Sequence, residues 1–401
     1  MNKSSTMIIA SGLMLVLSGC DRDIPLVSGG IDDFYTVARM QKLPLSTPLP
    51  GTHRWVVTAP DGTSSVISNS DSAVFVAAVE GTYKMTLTVN YDGEETIMGS
   101  VINVVHEDVE YSAFISEVVD YCPAPGQFVN VMPIYEEGDD YQTMLRKASE
   151  AIGGTVDELI SLGGFGGYVV FKFDHTVINR PGEPDFRIWG NSFYGDGDVA
   201  LEAGSSEPGI VMVAFDRNCN GVADPEEWYE LRGSEYDSPL SHHDYSITYY
   251  PPVEGKEPVV VRPFITDAEY IRWTDSSGNT GYVAKNNQHR QEYFPLWLPQ
   301  QPISFEGLSL LAPNAEDVYG NGMYYRFYSY PWGYADNRPN GDAEANSFDI
   351  DNAVDKFGTS VLLPGIDFVK VYTGVNQYCG RLGETSTEIS RAADIYLLQD
   401  D

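Results

Sequence analysis

Basic residues are scarce in this sequence. Its 401 residues include 24 lysines and arginines against 58 aspartates and glutamates, which gives a formal net charge of −34. A surface this acidic repels nucleic-acid phosphates and anionic lipid headgroups, so the composition argues against both as partners. It favours solubility and cation binding, and we expect most of these carboxylates to be solvated surface groups.

Cysteines, histidines and long apolar runs are also rare. Three cysteines follow Cys20: Cys122, Cys219 and Cys379. They are too sparse for a disulfide scaffold or a zinc site, and their odd number leaves their pairing open. The six histidines are scattered, and no Gly-x-Ser-x-Gly nucleophile motif is present. After the first 20 residues, no run is long and apolar enough to span a bilayer as a helix.

The first 20 residues have the layout of a bacterial lipoprotein signal. Lys3 supplies a positive charge, residues 7–17 form a short apolar run, and Leu-Ser-Gly precedes Cys20. This order resembles a lipobox, which implies that residues 1–19 are removed and that Cys20 carries the lipid. We therefore expect residues 20–30 to be a lipidated tether and the protein to be anchored to the bacterial envelope, at the outer membrane or the cell surface.

Strand and turn signals dominate the rest of the chain and predict an all-β fold. Residues 31–106 contain alternating strands with Asp-Gly turns, and they resemble PKD-like and Ig-like spacer sandwiches with Trp55 and Tyr83 in the core. Residues 107–401 contain many strands and long loops, which favours a larger, jelly-roll-like antiparallel β-sandwich with one or two short helices. The segment DDYQTMLRKASEAIGG predicts a helix that Asp139 or Asp140 caps and Gly153 ends.

Residues 215–231, FDRNCNGVADPEEWYEL, match a calcium-loop pattern in full: Asp-x-Asn-x-Asn-Gly, then five residues and Glu. The predicted oxygen ligands are Asp216, Asn218, Asn220, the Val222 carbonyl, Asp224 and Glu227. The flanking segments have strand character, which predicts a calcium loop between strands that braces the fold. The alternative is an Asn-Gly hairpin turn with solvated acids.

The segment MYYRFYSYPWGYADNRPNGD is dense in aromatic residues. Its Pro-Trp-Gly-Tyr turn places Trp332 and Tyr334 on a loop, followed by Asp336, Asn337 and Arg338. Aromatic and polar side chains on one loop predict a surface site, where the rings stack on a ring-shaped ligand and the polar groups contact it. The alternative is that the loop plugs the end of the sandwich.

Two aspartates in FDIDNAVD, Asp349 and Asp351, are candidates for a second metal or ligand site. The alternative is an Asx turn or a cap before a short helix.

The order of several segments resembles a family of Bacteroidetes cell-surface lipoproteins with a PKD-like domain. These segments are PAPGQFVN, SLGGFGGYVVFKFDH, DFRIWGNSF, EPGIVMVAFDRNCNGVADPEEWYELRGSEY, GNTGYVAKN, WGYADNRPN, SFDIDNAVD and LPGIDFVKVYTGVNQYCGRLGETSTEIS. The layout is also similar to carbohydrate-binding jelly-roll modules, and some surface lipoproteins of this domain plan belong to vitamin B12 (corrinoid) capture systems.

Together with the anchor, the sandwich, the calcium-loop spacing and the absence of a catalytic motif, this resemblance predicts a non-catalytic, calcium-braced protein that captures a corrinoid or a glycan, with an outer-membrane transporter as a partner. Two other functions are left open by the residues. One is a carboxylate-dependent glycan hydrolase, and the other is a structural or adhesion lipoprotein of the envelope.

Overall fold

A computed structural model describes residues 31–155, 158–310 and 314–398. The predicted signal peptide, the lipidation site Cys20 and the tether at residues 20–30 lie outside these ranges. Within them, no helix has the length and apolar character needed to cross a bilayer.

The N-terminal strands form a five-stranded sheet in the order β1-β7-β6-β3-β4 and a two-stranded sheet of β2 and β5. Their bounds are β1 (Phe34–Ala38), β2 (Leu43–Ser46), β3 (Thr52–Thr58), β4 (Ser64–Ser68), β5 (Ser72–Phe75), β6 (Gly81–Tyr91) and β7 (Glu94–Val105). Only β1 and β7 pair in parallel among the described strand pairs. Trp55, Leu87 and Ile102 are fully buried in the core of this part of the chain, and Tyr83 joins them; for Trp55 and Tyr83 this is the core position that the resemblance to spacer sandwiches implies.

The remainder contains one α-helix, α1 (Tyr141–Ile152), among the described residues, and many strands. The strands are β8 (Glu117–Cys122), β9 (Ile160–Ser161), β10 (Tyr168–Ile178), β11 (Phe186–Trp189), β12 (Ala203–Gly204), β13 (Gly209–Ala214), β14 (Trp228–Leu231), β15 (Ser241–Tyr249), β16 (Ile265–Asp275), β17 (Thr280–Asn286), β18 (Ile303–Leu310), β19 (Ala315–Asp317), β20 (Tyr325–Tyr328), β21 (Ser347–Phe348), β22 (Ala353–Val354), β23 (Gly365–Thr373), β24 (Glu388–Ile389) and β25 (Arg391–Asp394). Short 3-10 turns lie at Val199–Leu201, Pro225–Glu227, Ile350–Asn352, Gly380–Leu382 and Ile395–Leu397.

A six-stranded sheet, β22-β14-β13-β23-β10-β8, is the centre of this larger part. Val211 and Val371 on one of its faces belong to the core that also contains the buried residues of α1. Ile210 and Tyr372 on the other face pack with Ile247 and its neighbours in the four-stranded sheet β17-β16-β15-β18. Because both faces are covered, β13 reads as a continuous apolar run and not as an alternating strand.

Smaller sheets complete the larger part: β21-β11-β25, β12-β20-β19 and β24-β9. The predicted all-β, sandwich-type fold with little helix is therefore confirmed. The predicted helix is confirmed too: the Asp140 side chain accepts a hydrogen bond from the Thr143 backbone N–H at 2.9 Å, and the helix ends before Gly153.

Candidate functional site

The predicted calcium loop connects two paired strands. β13 and β14 are antiparallel, with Ala214 opposite Trp228, and the residues between them form an extended loop that closes with the turn Pro225–Glu227. The expected strand flanks are thus present on both sides of the loop. We refer to residues 216–227 as the 216–227 loop.

Carboxylates fold inward and hold the backbone of the 216–227 loop. The two Asp216 oxygens accept hydrogen bonds from the N–H groups of Asn220 at 3.1 Å and Gly221 at 2.8 Å. Glu227 accepts a bond from the Arg217 N–H at 2.8 Å. Burial is the main cause that raises the pKa of Glu227, with a smaller contribution from the neighbouring acids. The loop therefore concentrates oxygen atoms and negative charge at its centre.

The remaining predicted ligands form contacts within the loop. The side-chain amides of Asn218 and Asn220 both donate to one Asp224 oxygen, at 2.8 and 3.1 Å. Val222 is exposed, and its N–H donates to Asn220 Oδ1. The oxygen donor set suits calcium, but both amide nitrogens would have to turn away from Asp224 to admit a cation. Calcium binding by these residues stays a prediction.

The 332–338 loop differs from the predicted surface site. Trp332 is 45% exposed, but Tyr334, Asp336 and Asn337 are between 0% and 1% exposed. The Arg338 guanidinium makes two hydrogen bonds of 2.9 Å to the Glu202 carboxylate. The prediction that Tyr334, Asp336 and Asn337 contact a surface ligand is wrong, because these side chains belong to the interior.

Interior hydrogen bonds explain why this loop turns inward. The Tyr334 hydroxyl accepts a bond from the Glu235 N–H at 3.0 Å. Asn337 accepts from the Tyr330 N–H at 2.8 Å and donates to the Tyr330 carbonyl at 2.9 Å. Burial raises the pKa of Tyr334 above its ordinary value. The interior packing that the sequence left as an alternative therefore describes Tyr334, Asp336 and Asn337, whereas Trp332 is exposed and Arg338 is half-buried.

Trp332 and Asp349 line one cavity of about 80 Å³. Its other lining residues include Arg232, Glu344 and Asn352. These residues come from the end of β14, the segment before β21 and the turn Ile350–Asn352, so nothing local in the sequence groups them. We refer to this cavity as the Trp332 pocket.

The two aspartates of FDIDNAVD separate in the structure. Asp349 caps the turn Ile350–Asn352, where its carboxylate accepts from the Asp351 N–H at 2.8 Å, and burial raises its pKa. Asp351 accepts from the Asn179 side chain and from the Gly182 N–H, both at 2.9 Å. Asp349 has the capping role that the sequence left as an alternative, and it also faces the Trp332 pocket.

Two of the cysteines in the larger part are free: Cys122 is half-buried and Cys379 is buried. Burial raises the pKa of both Cys122 and Cys379 to about 12. A thiol with so high a pKa is a poor nucleophile near neutral pH.

Comparisons with known proteins give no family assignment. No family model matches the sequence, and no curated protein matches it. A SusE-like protein is similar over 91% of this chain and 96% of its own, at 8% identity and a TM-score of 0.28. A structure of carbohydrate-binding modules from the β-sandwich superfamily is similar over 86% of this chain and 84% of its own, at 11% identity and a TM-score of 0.14. Both TM-scores are too low to carry an argument, so the all-β assignment depends on the strand pairing described above.

Proposed function

We propose that this protein is a lipid-anchored envelope protein that binds a glycan at the Trp332 pocket. The observation that carries the proposal is an exposed indole beside charged and amide side chains, among them Arg232, Glu344 and Asn352. A flat aromatic face packs well on the C–H face of a sugar ring, while guanidinium, carboxylate and amide groups can bind its hydroxyls. Because the chain carries a net charge of −34 and repels anionic sugars, we expect the preferred glycan to be uncharged.

The size of the cavities favours a glycan over a corrinoid. The Trp332 pocket measures about 80 Å³, and a second cavity beside Lys256, Tyr270 and Lys285 measures about 220 Å³. Pockets that enclose a drug-sized ligand typically measure roughly 300–1,000 Å³. A corrinoid is larger still, whereas a single sugar ring needs only an aromatic platform and a few polar contacts at the surface.

The lipid anchor, the N-terminal spacer and the calcium loop would place the binding site at the membrane and stabilise it. The lipid on Cys20 would hold the chain at the membrane, and residues 31–106 would act as a spacer. A calcium ion in the 216–227 loop would fix the β13–β14 hairpin. The end of β14 leads directly into the pocket residues Leu231 and Arg232, so the brace supports that wall. An outer-membrane transporter would receive the captured glycan.

The test is a glycan array probed with the full chain in mild detergent, followed by titration of the best ligand. We expect Trp332→Ala to weaken binding at least tenfold, equivalent to about 1.4 kcal/mol. Its Tm should hardly change, because nearly half of the side chain is already in water. Tyr319→Ala, which removes a more exposed aromatic ring that does not line the pocket, should bind as the unmodified protein does. Equal binding by both variants would place the glycan elsewhere.

A glycan hydrolase is the second candidate, because two carboxylates line the same pocket. Glu344 and Asp349 are both present there, and burial raises the pKa of Asp349, as a general acid requires. Turnover of a chromogenic glycoside that disappears in Asp349→Asn would support this function. We expect binding without turnover, since one Asp349 oxygen is engaged by the Asp351 N–H.

A further inference from the structure

Three carboxylates from distant parts of the chain meet around Asp336. Glu207, Asp336 and Glu388 each offer one oxygen, and the three oxygens all lie within 4.8 Å of one another. In the described ranges, no other group of three or more Asp, Glu, His or Cys side chains is this compact. Asp336 and Glu388 are buried, and Glu207 is half-buried. We refer to these three residues as the acidic cluster.

The acidic cluster has no cationic partner from the described part of the protein, where none of the ion pairs includes Glu207, Asp336 or Glu388. Three such groups cannot all be ionised in the interior without a compensating positive charge. Either shared protons or a bound cation must supply that charge.

Backbone N–H groups fix Asp336 within the acidic cluster. One Asp336 oxygen accepts from Asn191 at 2.8 Å and from Ser192 at 2.9 Å, and the other accepts from the Glu388 N–H at 2.9 Å. These bonds favour the ionised form of Asp336 and hold its carboxylate in one orientation. The site is therefore preorganised by three different segments of the chain.

A second observation comes from Ser192. Its N–H is bound to Asp336, its residue is 6% exposed, and its hydroxyl is buried with no hydrogen-bond partner among the described residues. Buried hydroxyl groups nearly always have a partner, so this oxygen needs an explanation. A cation held by the neighbouring carboxylates would provide one.

We propose that Glu207, Asp336 and Glu388 bind a calcium ion, with the Ser192 hydroxyl as a further oxygen ligand. The donors of the acidic cluster and Ser192 are all oxygens, which hard divalent cations prefer, whereas zinc sites draw mainly on sulfur and nitrogen. Calcium accepts six to eight oxygens in irregular geometry, so bound water can complete its shell. The ion would join the segment after β11, the segment before β13, the 332–338 loop and β24. It is independent of the 216–227 loop and of the glycan proposal.

The test separates the two calcium predictions by disabling the 216–227 loop. The full chain with Asp216→Asn and Glu227→Gln is titrated with calcium by calorimetry, and its Tm is measured in EDTA and in calcium. We expect one remaining calcium site and a rise in Tm of several degrees. Adding Glu388→Gln to this protein should weaken calcium binding more than tenfold and abolish the rise.

The same variants distinguish a cation site from a purely structural cluster. In EDTA at pH 8, adding Glu388→Gln should leave the Tm equal or higher, because it removes one of three like charges. In the presence of calcium, the protein with Glu388→Gln should instead have the lower Tm. A purely structural role of the acidic cluster predicts no such reversal. If Glu388→Gln fails to fold, Glu207→Gln at the half-buried position gives the same comparison. No calcium binding by the protein with the disabled loop, and no change in its Tm, would mean that the acidic cluster only shares protons, and the proposal is then wrong.

Discussion

At the scale of single residues, His175 is held between two carboxylates. Its side chain is fully buried, with Nδ1 at 2.8 Å from Asp174 and Nε2 at 2.9 Å from Asp394. Burial lowers the pKa of His175, but the hydrogen bonds to Asp394 and Asp174 together outweigh it, so the net pKa is raised. Below this raised pKa, both nitrogens donate and the imidazolium is the counter-ion of the buried Asp394.

We expect His175→Leu to lower the free energy of unfolding by roughly 3–5 kcal/mol at pH 6, because it leaves Asp394 buried without its partner. A raised pKa stabilises the fold fully below the unfolded value of about 6.5, and this contribution is lost as pH rises through the folded value. The penalty should therefore be smaller at pH 9. Urea unfolding of both proteins at pH 6 and pH 9 measures this difference in the free energy of unfolding. His106→Leu, which removes an exposed pair with Glu80, should cost little at either pH.

At the scale of elements, Lys42 joins the N-terminal strands to the 216–227 loop. Its ammonium donates to the Asp216 carbonyl at 2.6 Å and to Asp367 at 2.7 Å, and it lies 4.4 Å from the centre of the Phe215 ring. The same Asp367 oxygen accepts from the Asp216 N–H at 2.7 Å. The lysine and aspartate side chains are only 11% and 17% exposed, so this pair is largely shielded from water.

Lys42→Met should lower the free energy of unfolding by roughly 3 kcal/mol, because Asp367 loses its counter-ion in a shielded position. Hydrogen exchange at the Asp216 amide should accelerate as well, since Lys42 no longer holds the Asp367 carboxylate that accepts its hydrogen bond. The matched control is Lys84→Met, an exposed lysine in β6 of the neighbouring sheet, which should change neither quantity. Faster exchange in both variants would refute a specific link through Lys42.

Elements with purely local signals could be predicted from the sequence. The helix α1 follows from the Asp140 cap, the apolar face and Gly153, and the β13–β14 hairpin follows from apolar runs on both sides of a polar loop. These features depend on neighbours a few residues away.

The burial of Tyr334 and Asp336 could not be predicted in this way. A Pro-Trp-Gly-Tyr turn has loop chemistry, but only contacts with the remote residues Glu235 and Glu388 decide which of its side chains face inward.

The same limit applies to the whole molecule. Glu207 and Glu388 carried no motif in the sequence, because the acidic cluster exists only after three distant segments meet. The Trp332 pocket is similar: Trp332 and Asp349 were singled out separately, and Arg232 was not singled out at all. A sequence with 58 acids offers many candidate pairs, and tertiary packing selects among them.

Buried acids throughout the molecule set the direction of its pH dependence. Burial is the main cause that raises the pKa of Asp185 to about 7, of Glu230 to about 8 and of Glu384 to about 8. The unfolded values are roughly 3.9 for Asp and 4.3 for Glu, so the folded chain binds more protons between about pH 4 and pH 8. Stability therefore falls as pH rises through this window, and His175 acts in the same direction.

We expect the Tm, measured in EDTA at constant ionic strength, to fall steadily from pH 5.5 to pH 8.5. Repulsion within a chain of net charge −34 adds to this fall, but added salt screens the exposed charges and leaves the buried acids largely unscreened. The slope should therefore persist in 1 M sodium chloride. Glu230→Gln, which removes one of these raised titrations, should flatten the slope, whereas Glu137→Gln at an exposed position should not. A Tm that stays level or rises across this range would show that the buried acids ionise at their ordinary pKa values in the folded chain.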